Sequence, residues 1–319
     1  MGCWGVPAGR SPDRERGADV CAAARVIVHD KVRSIGDAAS SQPTMGPPMP
    51  VDNPPLEVML SPLRDYARRI TPLTVRRRIA SKRLEMKRRS NSVRSAKDVF
   101  SEVYAKSQWG PSGESFDSGS GSWGVARESY VEFVRELIAE SGARRAVDIG
   151  CGDFRVASGF IDLLDSYIGV DVVPELIARN TAEFGRSGVS FVAQDAAISE
   201  VPDGDICFVR QVFQHLSNNE IASILQQCSK FPIVVVTEHW PSPEFRTQAN
   251  RDKPHGADTR LDLGSWVDVA EEPFRCVPTR KRLVVPVDTP LYQADETIQT
   301  VVWTPSTELV TIRARTASS

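Results

Sequence analysis

The stretch that decides the fold reads AVDIGCGDF and occupies residues 146–154. It is a short apolar run that ends in an acid and passes into two glycines. A second run, IGVD at residues 168–171, also ends in an acid. A strand that feeds a glycine turn, then a helix and a strand with a terminal carboxylate, is the layout of a mononucleotide-binding βαβ half. The sequence therefore predicts an α/β sheet that holds a nucleoside-bearing cofactor.

The residues of the turn indicate which kind of cofactor this is. A dinucleotide fold uses G-x-G-x-x-G, in which the third glycine allows the helix to pack closely on the strand. Arg155 stands at that third position, so the dinucleotide pattern is incomplete. Asp148 precedes the first glycine, and a carboxylate there suits a cofactor with a cationic end. The alternative is that Gly150 and Gly152 only form a tight turn.

The pattern D-x-G-x-G at residues 148–152, followed by Asp171, resembles motif I and the strand-end acid that follows it in class I S-adenosylmethionine (SAM)-dependent methyltransferases. The span from about 96 to 303 resembles one bacterial subgroup of that class, often associated with glycan or polysaccharide assembly. The marks of this subgroup are VFSEVY at 99–104, QWG at 108–110, SGSGS at 118–122 and RQVFQHL at 210–216. The resemblance implies SAM as the cofactor.

Ligands of open α/β sheets bind at the carboxyl ends of the strands. By the resemblance, Asp171 takes the ribose hydroxyls, and Asp195 contacts the adenine amino group or serves only as a helix N-cap. Arg210 or Gln211 lines the cofactor. The predicted cofactor-binding residues are Asp148, Gly150, Cys151, Gly152, Asp153, Asp171, Val172, Asp195, Ala196, Arg210 and Gln211.

Methyl transfer to a hydroxyl requires alignment and a group that removes the proton. The candidates for this base are His215, His239 and Glu238, all near predicted strand ends, and His255 has a weaker claim. His215 is either a base or a packing residue under the cofactor. The histidines are not at metal-ligand spacings, so no metal is expected. The segment after strand four lacks Asn-Pro-Pro-Tyr, which argues against an exocyclic nitrogen acceptor.

The apolar pattern predicts a Rossmann-like, seven-stranded, mostly parallel sheet with helices on both faces and a closing antiparallel hairpin. Helices are expected up to Gly142, over 154–164, from Pro174 to Phe184, and from the Ser217–Glu220 capping box. The predicted strands are 146–149, 167–171, 189–194, 206–209, 233–237, 283–287 and 297–303.

The chain of 319 residues divides into five predicted segments. Residues 1–60 have little periodicity and many prolines, which predicts disorder. Residues 61–97 form a basic helical arm, and 98–126 form a lid or linker rich in glycine, serine and aromatic residues. The methyltransferase domain covers 127–310, and 311–319 form a tail. Within the third segment, Trp109, Phe116 and Trp123 suggest a loop that closes over the site.

Positive charge is concentrated in the arm, where residues 64–97 hold thirteen Lys and Arg against Asp65 and Glu85. Three interpretations stay open: a helix on an anionic membrane surface, a nucleic-acid arm, or a solvated arm packed loosely on the domain. The cysteines form no C-x-x-C pair and indicate reduced thiols. We therefore expect a cytoplasmic protein, and a peripheral position at the membrane stays open as an alternative.

The expected function is SAM-dependent methyl transfer to an oxygen of a small molecule or of a sugar in a glycan. Two alternatives remain: a catalytically weak, SAM-binding regulatory protein, and a nucleic-acid methyltransferase that uses the basic arm. The sequence leaves the acceptor, the oligomeric state and the true start codon open.

Overall fold

The computed structural model describes residues 73–110, 116–277, 280–287 and 295–305. All of them lie in the C-terminal of two compact units, Tyr66–Ser319. The helices of the described residues are α1 (Leu73–Asn91), α2 (Ala96–Ala105), α3 (Gly124–Ser141), α4 (Pro174–Phe184) and α5 (Asn218–Cys228). The strands are β1 (Arg145–Ile149), β2 (Ser166–Asp171), β3 (Val189–Ala193), β4 (Ile206–Arg210), β5 (Ile233–Trp240), β6 (Arg280–Pro286) and β7 (Thr297–Trp303).

The seven strands form one sheet in the order β3-β2-β1-β4-β5-β7-β6. Strands β1 to β5 pair in parallel, and β7 pairs antiparallel with both β5 and β6. This arrangement confirms the predicted Rossmann-like sheet and its closing hairpin. From β1 the chain adds β2 and β3 on one side of the sheet and then β4 and β5 on the other, so the topological switch point lies between the carboxyl ends of β1 and β4.

The sheet is buried on both faces, and its side chains alternate between two cores. Val147 and Ile149 of β1 belong to the core that α2, α4 and α5 cover. Ala146 belongs to the opposite core, which is covered by Tyr130, Phe133, Val134, Leu137 and Ile138 of α3. Burial on both faces explains why the parallel strands read as continuous apolar runs.

The predicted helix over 154–164 is wrong. Two 3-10 turns, Ala157–Gly159 and Ile161–Leu163, take its place. Phe154 has φ of +67°, a left-handed conformation that cannot start a right-handed helix. Its ring lies among Tyr167, Phe184 and Phe191, at centroid distances of 5.0–5.3 Å. Packing of this ring therefore takes precedence over helical periodicity.

Other predicted helix ends are confirmed. Gly142 is left-handed at the end of α3, and Pro174 opens α4. Ser217 and Glu220 form the predicted capping box of α5. Each of these signals is local, because the cap bonds only to the helix that follows or precedes it.

The predicted boundary of the lid or linker at residue 98 needs correction. Residues 96–105 form α2. Ser95 is its N-cap, and the Ser95 hydroxyl accepts a hydrogen bond from the Asp98 amide. Val99, Phe100 and Val103 are buried in the core, so this part belongs to the domain. The predictions for 1–60, 61–72 and 311–319 lie outside the described residues. No helix within the described residues is long and apolar enough to cross a membrane.

Candidate active site

A cavity of about 760 Å³ opens at the carboxyl ends of the parallel strands. It extends from the ends of β2 and β3, past the end of β1 at the switch point, to the ends of β5 and β6. Every residue predicted to bind the cofactor lines this cavity. Its volume lies within the range of about 300–1,000 Å³ that is usual for ligand sites.

The glycine turn forms the floor of the cavity. Gly150 and Gly152 have φ of +72° and +54°, a region that L side chains rarely adopt. A Cβ atom on Gly150 would collide with Val212, and one on Gly152 would lie 2.5 Å from the Ser118 Oγ. Both glycines are therefore required by backbone conformation and by space, and a ligand can approach the bare backbone here.

Asp171 ends β2 beside this turn. Its carboxylate accepts hydrogen bonds from the amides of Gly152, at 3.2 Å, and Val173, at 3.1 Å. Burial raises the pKa of Asp171 to about 6, and the backbone hydrogen bonds oppose this rise. The carboxylate is thus fixed at the cavity wall, where it can accept hydrogen bonds from the two hydroxyls of a ribose.

Asp148 and Arg210 provide buried charge beneath the glycine turn. The Tyr167 hydroxyl donates to Asp148 at 2.7 Å, and burial raises the pKa of this carboxyl to about 7. The Arg210 guanidinium stacks over Tyr130 at 4.9 Å and donates to the Gly121 carbonyl at 2.6 Å. Burial lowers the pKa of Arg210, and Asp148 opposes this effect. The two residues thus offer a carboxylate and a guanidinium to a zwitterionic ligand group.

Asp195 lies at the other end of the cavity, beyond β3. Its Oδ1 accepts a hydrogen bond from the Ala197 amide at 2.9 Å, so it stabilises the turn that follows. Asp195 and Ala196 also line the cavity. Both roles that the sequence left open for Asp195, an adenine contact and a local cap, are compatible with this position.

The loop before α3 is bonded to the glycine turn. Ser118 Oγ accepts from the Asp153 amide at 2.9 Å, and the Ser118 amide donates to Asp153 Oδ2 at 3.2 Å. Trp123 packs under the Arg155 guanidinium at 3.4 Å. The described part of the loop is therefore in contact with the turn, and its closure over a bound ligand stays a prediction.

His215 is half-buried in the cavity wall. Its ring stacks on Trp109 at 4.8 Å, and the Trp109 indole donates to the Ala257 carbonyl at 3.1 Å. Burial and the nearby Lys253 lower the pKa of His215 to about 3. A ring with so low a pKa is a weak base, so its position favours the packing interpretation.

Glu238 does not line the cavity, so its position does not support a role as the base. Its two carboxylate oxygens accept hydrogen bonds from the amides of Phe213 and Gln214, both at 2.9 Å. Burial raises its pKa to about 8. Adjacent side chains of a strand point to opposite faces, so Glu238 and His239 cannot both face the same side of β5. Glu238 instead fixes the turn that carries His215.

His239 does line the cavity, at its β5 end. Its Nε2 lies 3.0 Å from Oε2 of Glu296, and both side chains are buried. Burial lowers the pKa of His239, and Glu296 opposes this effect. Sequence reasoning missed Glu296. The available signal was an acid directly before the last strand, since β7 runs antiparallel to β5 and brings position 296 beside the end of β5.

The segment after β5 supports the cavity wall. Arg260 is almost completely buried and donates to the carbonyls of Phe213 and Leu216, both at 2.7 Å. His255 pairs with Glu220 at 2.8 Å and does not line the cavity. Among the described residues, no group of His, Cys, Asp and Glu has a geometry that could hold a metal ion.

Comparison with known proteins identifies the domain. Residues 146–231 match the family profile described as "Methyltransferase domain". The match includes the glycine turn, Asp171, Asp195 and the segment from Arg210 to His215. Residues 146–231 therefore belong to a methyltransferase domain. No curated protein gives a match.

Solved structures similar to this methyltransferase include NodS, an N-methyltransferase from Bradyrhizobium japonicum WM9, solved with S-adenosyl-l-homocysteine. It has a TM-score of 0.41 and 15% identity, over 57% of this chain and 88% of that chain. The methyltransferase domain of bacterial CtHen1 has a TM-score of 0.40 and 17% identity, over 56% and 98%. Magnesium protoporphyrin IX methyltransferase from Synechocystis PCC 6803, with bound SAM, has a TM-score of 0.37 and 16% identity, over 56% and 79%.

SAM is the cofactor of this methyltransferase, as predicted. The cavity fits it in two respects. Gly150 and Gly152 line the cavity, and a side chain at either position would collide with Val212 or Ser118, so only bare backbone fits there beside a ligand. Asp148 and Arg210 supply buried opposite charges for an amino acid moiety, and Asp171 supplies the acceptor for ribose hydroxyls.

Proposed function

We propose that this methyltransferase transfers the methyl group to an oxygen of a small molecule or of a sugar in a glycan. The observation that carries the proposal is the His239–Glu296 pair at the β5 end of the cavity. A hydroxyl is a poor nucleophile until its proton is removed, so an oxygen acceptor needs a base at this position.

The pair defines which nitrogen of His239 acts. Oε2 of Glu296 lies 3.0 Å from Nε2, so in the proposed reaction the hydrogen is on Nε2, beside the carboxylate. The other nitrogen, Nδ1, then has a free lone pair. Burial lowers the pKa of His239, and the nearby Glu296 offsets part of that loss of basicity.

The bound cofactor supplies a methyl carbon that is already activated by its sulfonium. With SAM held by the Gly150–Gly152 turn and Asp171, the methyl group would pass to the acceptor oxygen and the bonding electron pair would remain on the cofactor sulfur. His239 takes the hydroxyl proton, and Glu296 stabilises the resulting imidazolium. The domain otherwise orients the reactants and excludes water, which suits a reaction limited by alignment.

The test uses SAM with a ¹³C-labelled methyl group, incubated with the protein and fractionated small-molecule and glycan extracts. The carbon chemical shift of the product distinguishes O-methyl from N-methyl groups. We expect an O-methyl product, and Glu296→Gln should reduce its formation about tenfold or more, because a neutral amide stabilises an imidazolium less well.

Glu183→Gln is the control, because Glu183 pairs with Arg179 at 2.9 Å and does not line the cavity. It should leave product formation within about twofold. An N-methyl product would refute the oxygen assignment. SAM binding without methylation of any fraction would favour the regulatory alternative.

A further inference from the structure

The basic helix α1 is attached to the methyltransferase domain near its C-terminal end. Arg88 donates to Asp258 at 2.8 and 2.9 Å and lies 3.1 Å from Asp262, and all three side chains are largely buried. Asn91 donates to the carbonyl of His255 at 3.1 Å. The C-terminal end of α1 is therefore fixed to the domain.

The attached end of α1 lies at the edge of the cavity. Lys87 donates to the Gln108 side chain at 2.6 Å, and Gln108 lines the cavity. Asp258, which binds Arg88, also lines it. A partner bound to α1 would therefore lie next to the entrance to the active site.

The side of α1 that faces away from the domain carries an apolar stripe. Val75, Ile79 and Met86 are 42%, 45% and 70% exposed. At 3.6 residues per turn, these three residues point in directions within about 40° of one another. Arg88 and Asn91 point to the opposite side of the helix, toward the domain. The stripe is therefore directed outward by the same contacts that fix the helix.

Exposed cations border the stripe on both sides. By the same geometry, Arg78, Lys82 and Arg89 lie on one flank, and Arg83 and Lys87 lie on the other. Within the described side chains of α1, Glu85 is the acid present, and it pairs with Arg89 at 2.7 Å. The outward face thus combines apolar side chains with cations on each side.

We propose that this face of α1 binds an anionic lipid surface, with Val75, Ile79 and Met86 inserted among the acyl chains. The cations would then contact the headgroup phosphates on either side. Binding of nucleic acid needs cations but gives no use for exposed aliphatic side chains in the middle of the face. Lipid uses both, because a helix at the interface gains from buried apolar area and from charge attraction.

The test is cosedimentation of the full chain with vesicles. Vesicles of phosphatidylcholine alone are compared with vesicles containing about one third phosphatidylglycerol. We expect binding only to the anionic vesicles. Met86→Asp should weaken it about tenfold, because it removes inserted apolar area. Lys82→Glu with Arg83→Glu should weaken it at least tenfold, because two attractive charges become repulsive.

Two matched variants control for unspecific effects. Ile198→Asp removes an apolar side chain that is 83% exposed on the domain, and Arg144→Glu with Arg186→Glu reverses two exposed charges away from α1. Both should leave vesicle binding within about twofold. All these positions are exposed, so the thermal midpoints should not change by more than a few degrees.

Either of two results would overturn the proposal. One is vesicle binding that depends on the cations but not on Met86, which would mean adsorption without insertion. The other is no vesicle binding together with a salt-dependent shift of RNA that Met86→Asp leaves unchanged, which would assign the face to nucleic acid.

Discussion

The two ends of the cavity are built in different ways. At the cofactor end, Gly150, Gly152 and Asp171 lie within the β1–β2 unit, where the Asp171 carboxylate accepts hydrogen bonds from the amides of Gly152 and Val173. At the other end, His239 meets Glu296, which comes from the far side of the closing hairpin. The first end is encoded by a local motif, whereas the second exists only because β7 runs antiparallel to β5. Cofactor binding and acceptor chemistry should therefore be separable by mutation.

The largest expected effect tests that separation at the β5 end. His239→Gln should lower turnover about 100- to 10,000-fold, the usual loss when a general base is removed. Its affinity for S-adenosylhomocysteine, measured by calorimetry, should stay within about twofold, since His239 is remote from the glycine turn. Equal losses of turnover and affinity would show that the two ends are not independent.

The glycine turn should show the reverse pattern. Gly152→Val places a branched side chain at φ of +54° and against Ser118, so SAM affinity should fall more than about a hundredfold. The control is Gly142→Ala, because Gly142 is also left-handed but has open space around its Cβ position. That control should lose some thermal stability and keep its affinity. If calorimetry shows that a folded Gly152→Val variant binds SAM with unchanged affinity, the glycine turn does not bind the cofactor.

Asp171→Ala should weaken SAM and S-adenosylhomocysteine alike by about 1.5–3 kcal/mol, because charge-assisted hydrogen bonds to the ribose are lost. A 2′,3′-dideoxyribose analogue should bind the variant and the natural protein equally well. If the analogue loses as much affinity as SAM, Asp171 does not contact the ribose.

His215 should make stability sensitive to acid. Its pKa is about 3 in the folded protein and 6.5 ordinarily. A depressed folded pKa means that the contribution is present above pH 6.5 and is lost as pH falls toward 3. In urea unfolding, His215→Asn should be less stable than the natural protein at pH 7.5. The difference should shrink by about 1.4 kcal/mol per pH unit below 6.5. A constant difference would show that the ring protonates freely when folded.

The smallest expected effect concerns the loop that covers the turn. Ser118→Ala removes the hydroxyl that accepts from the Asp153 amide, so SAM affinity should fall about fivefold. S-adenosylhomocysteine should protect the loop from proteolysis in the natural protein, and less so in this variant. Ser120→Ala changes an exposed hydroxyl of the same loop and should have little effect. Protection that is equal in all three proteins would argue for a linker that does not respond to the cofactor.

Sequence alone determined the features that depend on local backbone and pattern. The glycines of the turn, the strand-end acids, the capping box of α5 and the order of the apolar runs specify the sheet and the cofactor end. These signals are readable because each residue acts on chain neighbours or on one face of one strand.

Tertiary structure decided what depends on distant residues. The ring of Phe154 packs into an aromatic cluster and prevents the helix expected at 154–164. Strand geometry turns Glu238 away from His239, and antiparallel pairing brings Glu296 to it. Arg88 fixes α1 to a loop far along the chain and so selects which face of the helix points outward. Composition carries no information on such pairings, because they arise only when the sheet and its connections close.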